Sequence, residues 1–101
     1  MIDSIEVIIK SGCNKESILI VYPMNICYIN NKKYKVSNEF LDNIRRTISL
    51  FKNEYGADKN IDSEEFFIIV KSKDREETFH GKGIFPDNYS YLKKLLGDLN
   101  A

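Results

Sequence analysis

Residues 36–56 read V-S-N-E-F-L-D-N-I-R-R-T-I-S-L-F-K-N-E-Y-G, and the fold turns on how far one helix runs through them. Ser37 has the hydroxyl that caps the first free N–H groups of a helix. Val36 before it and Leu41 four residues after it have the spacing of a hydrophobic staple. Phe40, Leu41, Ile44, Ile48, Phe51 and Tyr55 recur at intervals of three and four, which is one buried stripe. Asp42, Arg45, Arg46 and Lys52 fall largely outside it. Gly56 fits the left-handed residue that ends a helix. The spacing therefore predicts a helix from Ser37 to Tyr55.

Before this helix the pattern is that of strands. S-I-E-V-I-I-K puts Ile5, Val7 and Ile9 on one face and Ile8 on the other. A polar loop, S-G-C-N-K-E-S, leads to the continuously apolar I-L-I-V-Y, which suits a strand that is central or covered on both faces. Pro23 ends that run, having no N–H for a ladder. I-C-Y-I and K-Y-K-V then flank an asparagine pair, and asparagine tolerates the left-handed backbone of a tight hairpin turn.

After the helix, E-F-F-I-I-V-K-S and E-T-F-H form a second hairpin turned by K-D-R-E, with Phe79 facing the core. The final helix takes Tyr89, Leu92, Leu96 and Leu99 as its stripe, with Phe85 leading in and Asp87 or Asn88 as cap. The order is β-β-β-β-α-β-β-α. Strands grouped apart from helices indicate an α+β fold: a mostly antiparallel sheet of about six short strands, with two helices packed on one face. At 101 residues the chain is expected to be a single domain, residues 1–101, with no repeat or linker.

Composition narrows the function classes. The chain is 43% hydrophobic and 30% charged, as ordinary globular proteins are. Fifteen basic and fifteen acidic residues cancel, so no net charge draws the molecule to nucleic acid or to anionic membrane. Arg45, Arg46 and Arg75 are the only arginines among those fifteen, which leaves twelve lysines. That bias fits an AT-rich bacterial genome and leaves few bidentate base readers. The opening M-I-D-S-I-E-V-I-I-K lacks the basic start and apolar block of a signal segment. The expectation is a cytoplasmic protein in which Cys13 and Cys27 are free thiols.

His80 is the chain's single histidine and stands in F-H-G-K-G-I-F-P-D-N-Y, residues 79–89. As a general base or metal ligand it needs companions, and none stands at ligand spacing. The following Gly81-Lys82-Gly83 could cradle an anion through exposed N–H groups, with Lys82 adding charge. No phosphate-loop pattern surrounds it, and the simpler role of the glycines is to bend a strand toward Pro86. Asp58, Asp62, Glu64 and Glu65 do not have EF-hand spacing and read as a solvated loop. Lys32, Lys33 and Lys35 interleave with Tyr28 and Tyr34, which suits a protected sheet edge better than a strand-binding face. No serine-nucleophile or reactive-cysteine signature is present, and no cofactor or metal motif.

The run E-E-T-F-H-G-K-G-I-F-P-D-N-Y-S-Y-L-K-K-L-L, with K-Y-K-V-S-N-E-F-L-D-N-I before it, resembles small uncharacterised bacterial α+β proteins. In these, a strand ending in aromatic-x-Gly passes through an aromatic-Pro corner into a terminal helix. The resemblance implies no activity. The residues lead to a non-catalytic interaction module of the immunity or accessory type, with Tyr28, Tyr34 and Tyr91 as interface candidates, being least needed by the core stripes. The alternative is a small enzyme or anion-binding domain that uses His80, Lys82 and Gly83. A homodimer through an open sheet edge is a third reading.

Overall fold

A computed structural model describes residues 1–99. Its elements are β1 (Ile2–Ser11), β2 (Asn14–Val21), β3 (Ile26–Ile29), β4 (Lys32–Lys35), α1 (Asn38–Ser49), β5 (Glu54–Ala57), β6 (Glu65–Ser72), β7 (Arg75–Lys82) and α2 (Tyr89–Leu99). All seven strands form one mixed sheet in the order β4-β3-β2-β1-β6-β7-β5. The class is α+β with two helices, as the residue pattern predicts. The strand count and the order differ, because a parallel strand follows α1.

That strand is the main correction. α1 starts where expected: the Ser37 hydroxyl accepts from the Phe40 N–H at 3.0 Å. It stops six residues before Tyr55. The Leu50 and Phe51 N–H groups bond back to Thr47 and Ile48 at 3.3 and 2.9 Å, the tightened three-residue closure that often ends a helix. Thr47 and Ser49 also turn their hydroxyls onto the helix carbonyls of Asn43 and Arg46, and such bonds weaken helix propagation. The chain then runs beside β7: His80 N–H donates to Asn53 and Asp58 N–H to Lys82, both at 2.9 Å. Gly56, at φ +82°, is a kink within β5 rather than a helix stop. Phe51 and Tyr55 keep their core positions from a non-helical backbone, so helical spacing alone could not distinguish the two paths.

The first hairpin is tighter than its polar sequence implies. β1 and β2 pair through Ser11 and Asn14, leaving only Gly12 and Cys13 in the turn, with Gly12 at φ +60°. The polar residues 14–17 extend the ladder where its exposed end tolerates them. Asn30 and Asn31 do form the β3–β4 turn, both left-handed.

Strand alternation sorts the sheet into two faces. On one lie Ile5, Val7 and Ile9 of β1, Ile18 and Ile20 of β2, Cys27 and Ile29 of β3, Phe66 and Ile68 of β6, and Phe79 of β7, all buried. α1 covers this face with Leu41, Ile44 and Ile48, and α2 with Tyr89, Leu92 and Leu96. The Tyr22 hydroxyl donates to the Leu41 carbonyl at 2.8 Å and ties the end of β2 to α1; burial pushes its pKa up to about 12. Asn88 does not cap α2 with its side chain: its amide donates to the Thr47 carbonyl and joins the two helices. No helix among the described residues is long and apolar enough to cross a membrane.

Phe66 is the hub of this layer. Its ring lies 5.1 Å from Tyr89, 6.1 Å from Phe85, 6.2 Å from Tyr55 and 6.5 Å from Phe51. It fits because its neighbour across the hairpin is Gly81. A Cβ there would sit 2.7 Å from the Phe66 ring and 2.5 Å from the Ile84 carbonyl oxygen, which is backbone and cannot swing away. Gly81→Ala should therefore cost about 1–3 kcal/mol in urea unfolding, as overpacking does. Gly97→Ala, with nothing within 4 Å of the new methyl, should be neutral or stabilise by up to about 1 kcal/mol, the gain in helix propensity.

Candidate functional site

The other face of the sheet is covered by neither helix. Register places its residues in rows across the strands. One row is Tyr28, Leu19, Glu6, Ile69 and Thr78; the next is Ser17, Ile8, Phe67 and His80. A third row, Lys15, Lys10, Glu65 and Lys82, is charged throughout. Directly opposed and diagonal neighbours on a sheet are within side-chain reach. Tyr28, Leu19, Ile8, Phe67 and Ile69 thus make one apolar band across the four strands β3, β2, β1 and β6, with Glu6 inside it. Leu19 is 38% exposed and the other four are half-buried. The continuously apolar runs of β2 and β6 reflect central strands, since one of their faces is open.

His80 lies at one end of this band. Its Nδ1 is 2.9 Å from Glu54 Oε2, and its Nε2 is 2.7 Å from Glu65 Oε2. Its ring lies against Phe67, with centroids 4.8 Å apart. A neutral imidazole has one N–H, so both carboxylates are satisfied only by the doubly protonated ring. The hydrogen bond to Glu65 is the largest influence raising the His80 pKa above its ordinary value; slight burial opposes it, and Glu54 adds to it. The bond from His80, then that from the Gly56 N–H, holds the Glu54 carboxyl below its usual range. The carboxylates sit on opposite ring nitrogens and do not converge on one point. This clasp fastens edge strand β5 to β7 and β6.

His80 and Lys82 project from the same face, and Lys82 stands opposite Glu65. Gly83 does not offer a free N–H: it donates to the Glu64 carbonyl at 2.9 Å. Its φ is +71°, and the Asp58 carboxylate fills the space where a side chain would stand. A carboxylate in that position repels an anion. Asp58 itself is engaged by the Asn60 N–H and the Ser63 hydroxyl. The expected acidic loop disperses: Glu64 takes the Tyr89 hydroxyl and Lys93, and Glu65 takes His80.

The three tyrosines singled out above do not share a patch. Tyr28 belongs to the open face. Tyr34 packs along the core side of β4 with the Lys32 ammonium over its ring at 5.5 Å. Tyr91 is 46% exposed on α2, on the far side of the molecule from Tyr28. Both thiols are free; Cys13 is exposed in its turn, and burial pushes the Cys27 thiol up to about 11.

Sequence reasoning missed Glu54 and Glu65 as the partners of His80. Glu65 was within reach of it, since a turn at Lys73-Asp74 sets Phe67 opposite His80 and Glu65 diagonal to it. Glu54 was not, because residues 54–57 carry helical spacing. A cleft of about 620 Å³ between α2 and the β1–β2 hairpin is lined by Lys15, Glu16, Glu64 and Lys93 among others; His80, Lys82, Gly83 and the three tyrosines lie outside it. Compared with family models, curated proteins and solved structures, the chain matches none.

The clasp has a pH signature with a definite sign. Protonated His80 is stabilised in the fold, so its contribution is full below about pH 6.5, the unfolded histidine value, and is lost as pH rises through the raised folded value. The Glu54 contribution is present above about pH 4.5 and is lost as pH falls through its lowered value. The stability difference between wild type and His80→Gln should be largest near pH 5–6 and shrink as pH rises through the raised folded value of His80. Urea unfolding across this range measures it; a difference that grows with pH contradicts the clasp.

Proposed function

We propose that this protein is a non-catalytic, cytoplasmic interaction module of the immunity or accessory type, and that it docks a polypeptide on the open face of its sheet. The observation that carries the reading is the apolar band of Tyr28, Leu19, Ile8, Phe67 and Ile69, left uncovered by the chain's own helices. Contiguous exposed apolar surface rimmed by charge is characteristic of interaction sites. Two free thiols accord with a reducing compartment.

Catalysis at the His80–Gly83 corner fits the geometry less well. A general base needs a free nitrogen lone pair directed at substrate, and both nitrogens of His80 are occupied. The Gly83 N–H is occupied too, with a carboxylate at its back. Nucleic acid fits the open face poorly for a similar reason: the ring of Phe67 is flanked by His80 and by the Lys10 ammonium, 5.5 Å from its centroid. A base has no face of it to stack on.

The test is capture by the tagged, folded chain, with a lysate of the source cells and a differently tagged second copy offered as prey. Leu19→Asp and Ile69→Asp should abolish capture of the bound polypeptide while leaving the circular dichroism unchanged, because neither side chain is in the core. Tyr91→Ala should leave capture intact. Prey that binds equally to Leu19→Asp and wild type, or no bound polypeptide at all, overturns the reading.

A further inference from the structure

We propose that the polypeptide seated on the open face is a second copy of this chain, stacked face to face about a two-fold axis that crosses the strands at Ile8. The inference rests on the docking reading above and names its occupant. It begins from Glu6, a half-buried residue whose side chain stands within the apolar band. Among the described residues Glu6 makes no hydrogen bond or ion pair. A carboxylate set among apolar side chains without a partner lacks the compensation that such groups have when covered.

Its complement is on the same strand. Lys10 projects from the same face, is exposed, and has no carboxylate partner among the described residues. Glu6 and Lys10 lie two residues to either side of Ile8, roughly 7 Å along the strand each way. In an isologous contact, whatever one subunit offers at a site must be met at the symmetry-related site by its copy. A two-fold axis across the strands through Ile8 exchanges the two ends of β1. It sets Glu6 against the partner's Lys10, and Lys10 against the partner's Glu6. Facing sheets stack about 10 Å apart, a gap that a glutamate and a lysine reaching from opposite sides can close. An axis along the strands would instead put Glu6 on its own counterpart and Lys10 likewise, so charge selects between the two arrangements.

The same axis turns Lys15 toward the partner's Leu19 and Glu65 toward the partner's Ile69, so it is the Glu6–Lys10 pair and the apolar centre that select it. Ile8 and Phe67, adjacent on it, meet their own counterparts and form an apolar centre. His80 lies on the same row and so also faces its own counterpart, but further out, toward the rim, where twisted sheets diverge. The area is adequate. Seven strands at about 4.8 Å spacing and eight-residue central strands span roughly 29 by 26 Å, on the order of 700 Å² per subunit. That approaches the roughly 800 Å² per partner of a stable interface. The sheet edges are poorer candidates. β4 carries Lys32, Lys33 and Lys35, and β5 is four residues long with a kink at Gly56, both devices that discourage edge pairing.

Light scattering or sedimentation equilibrium on the whole chain tests the proposal. The wild type should weigh twice the 11.8 kDa of one chain. Glu6→Lys alone and Lys10→Glu alone should each weaken self-association by about tenfold or more, since like charges then face each other. The two single variants mixed together should recover association as a heterodimer, because Lys at position 6 of one then meets Glu at position 10 of the other. The double variant should pair with itself. Circular dichroism shows whether each variant is folded, and Ile8→Asp supplies a second disruption at the axis. A monomeric wild type at about 1 mM, the weak end of specific association, overturns the proposal, as does a mixture of folded single variants that stays monomeric. A monomer that still captures a different protein through Leu19 removes the second copy but leaves the docking reading standing. A monomer that captures nothing removes both.

Discussion

The contact between the Phe66 ring and the bare backbone of Gly81 is the constraint on which the other elements depend. Phe66 is fully buried and reaches, through Phe51, Tyr55, Phe85 and Tyr89, the end of α1, the edge strand β5, the corner after β7 and the start of α2. A side chain at position 81 would lift the ring and separate all four. Pro86 and the stacked pair Phe85–Tyr89, with parallel rings 4.6 Å apart, then set α2 down on the same cluster. Gly81 thus serves packing, while its neighbour Gly83 serves a left-handed turn beside Asp58. The two glycines look alike in sequence and do different work.

Placing both helices on one face has a consequence for the other. Central strands β1, β2 and β6 must be apolar on the covered side, and each also carries large apolar side chains among the polar ones on the open side. Leu19, Ile8, Phe67 and Ile69 add nothing to the helical layer. They raise the fraction of apolar surface in water, which a monomer minimises unless something covers it. The lysines that frame this face, Lys10, Lys15, Lys71 and Lys82 among them, keep the exposed apolar area in bounds, and Glu6 breaks its centre with a charge. Such a surface is selective: it penalises an apolar neighbour that brings no cation.

The clasp at His80 is a different device. It joins the last strand added to the sheet, β5, by side chains rather than by a long ladder, since β5 is short and kinked. Asn53 assists by donating its amide to the Thr78 carbonyl at 2.9 Å. Because the clasp is drawn together by a protonated imidazole between carboxylates, the attachment of this edge weakens as the solution becomes alkaline. The consequence is local, as β5 contributes little more than Tyr55 to the core.

Much was legible from residues alone. The caps and stripe of α1 at its start, the Asn30-Asn31 turn, the alternation of β1, the K-D hairpin and the stripe of α2 are all local signals, and each is realised in the fold. Local signals failed where two conformations share one pattern. Phe51 and Tyr55 satisfy helical spacing, yet the unpaired edge of β7 offers residues 54–57 a ladder, and that gain is invisible until the sheet exists. The same blindness hid Glu54 from His80. The residue pattern set Phe79 toward the core, which is where it lies and which leaves His80 on the other face, but it could not say that neither helix covers that face. The sequence by itself determined an α+β chain with its core residues and most of its strands. Strand order, the seventh strand, the Glu54–His80–Glu65 clasp and the open apolar face were decided by tertiary structure, because each depends on which segments distant in the chain lie side by side.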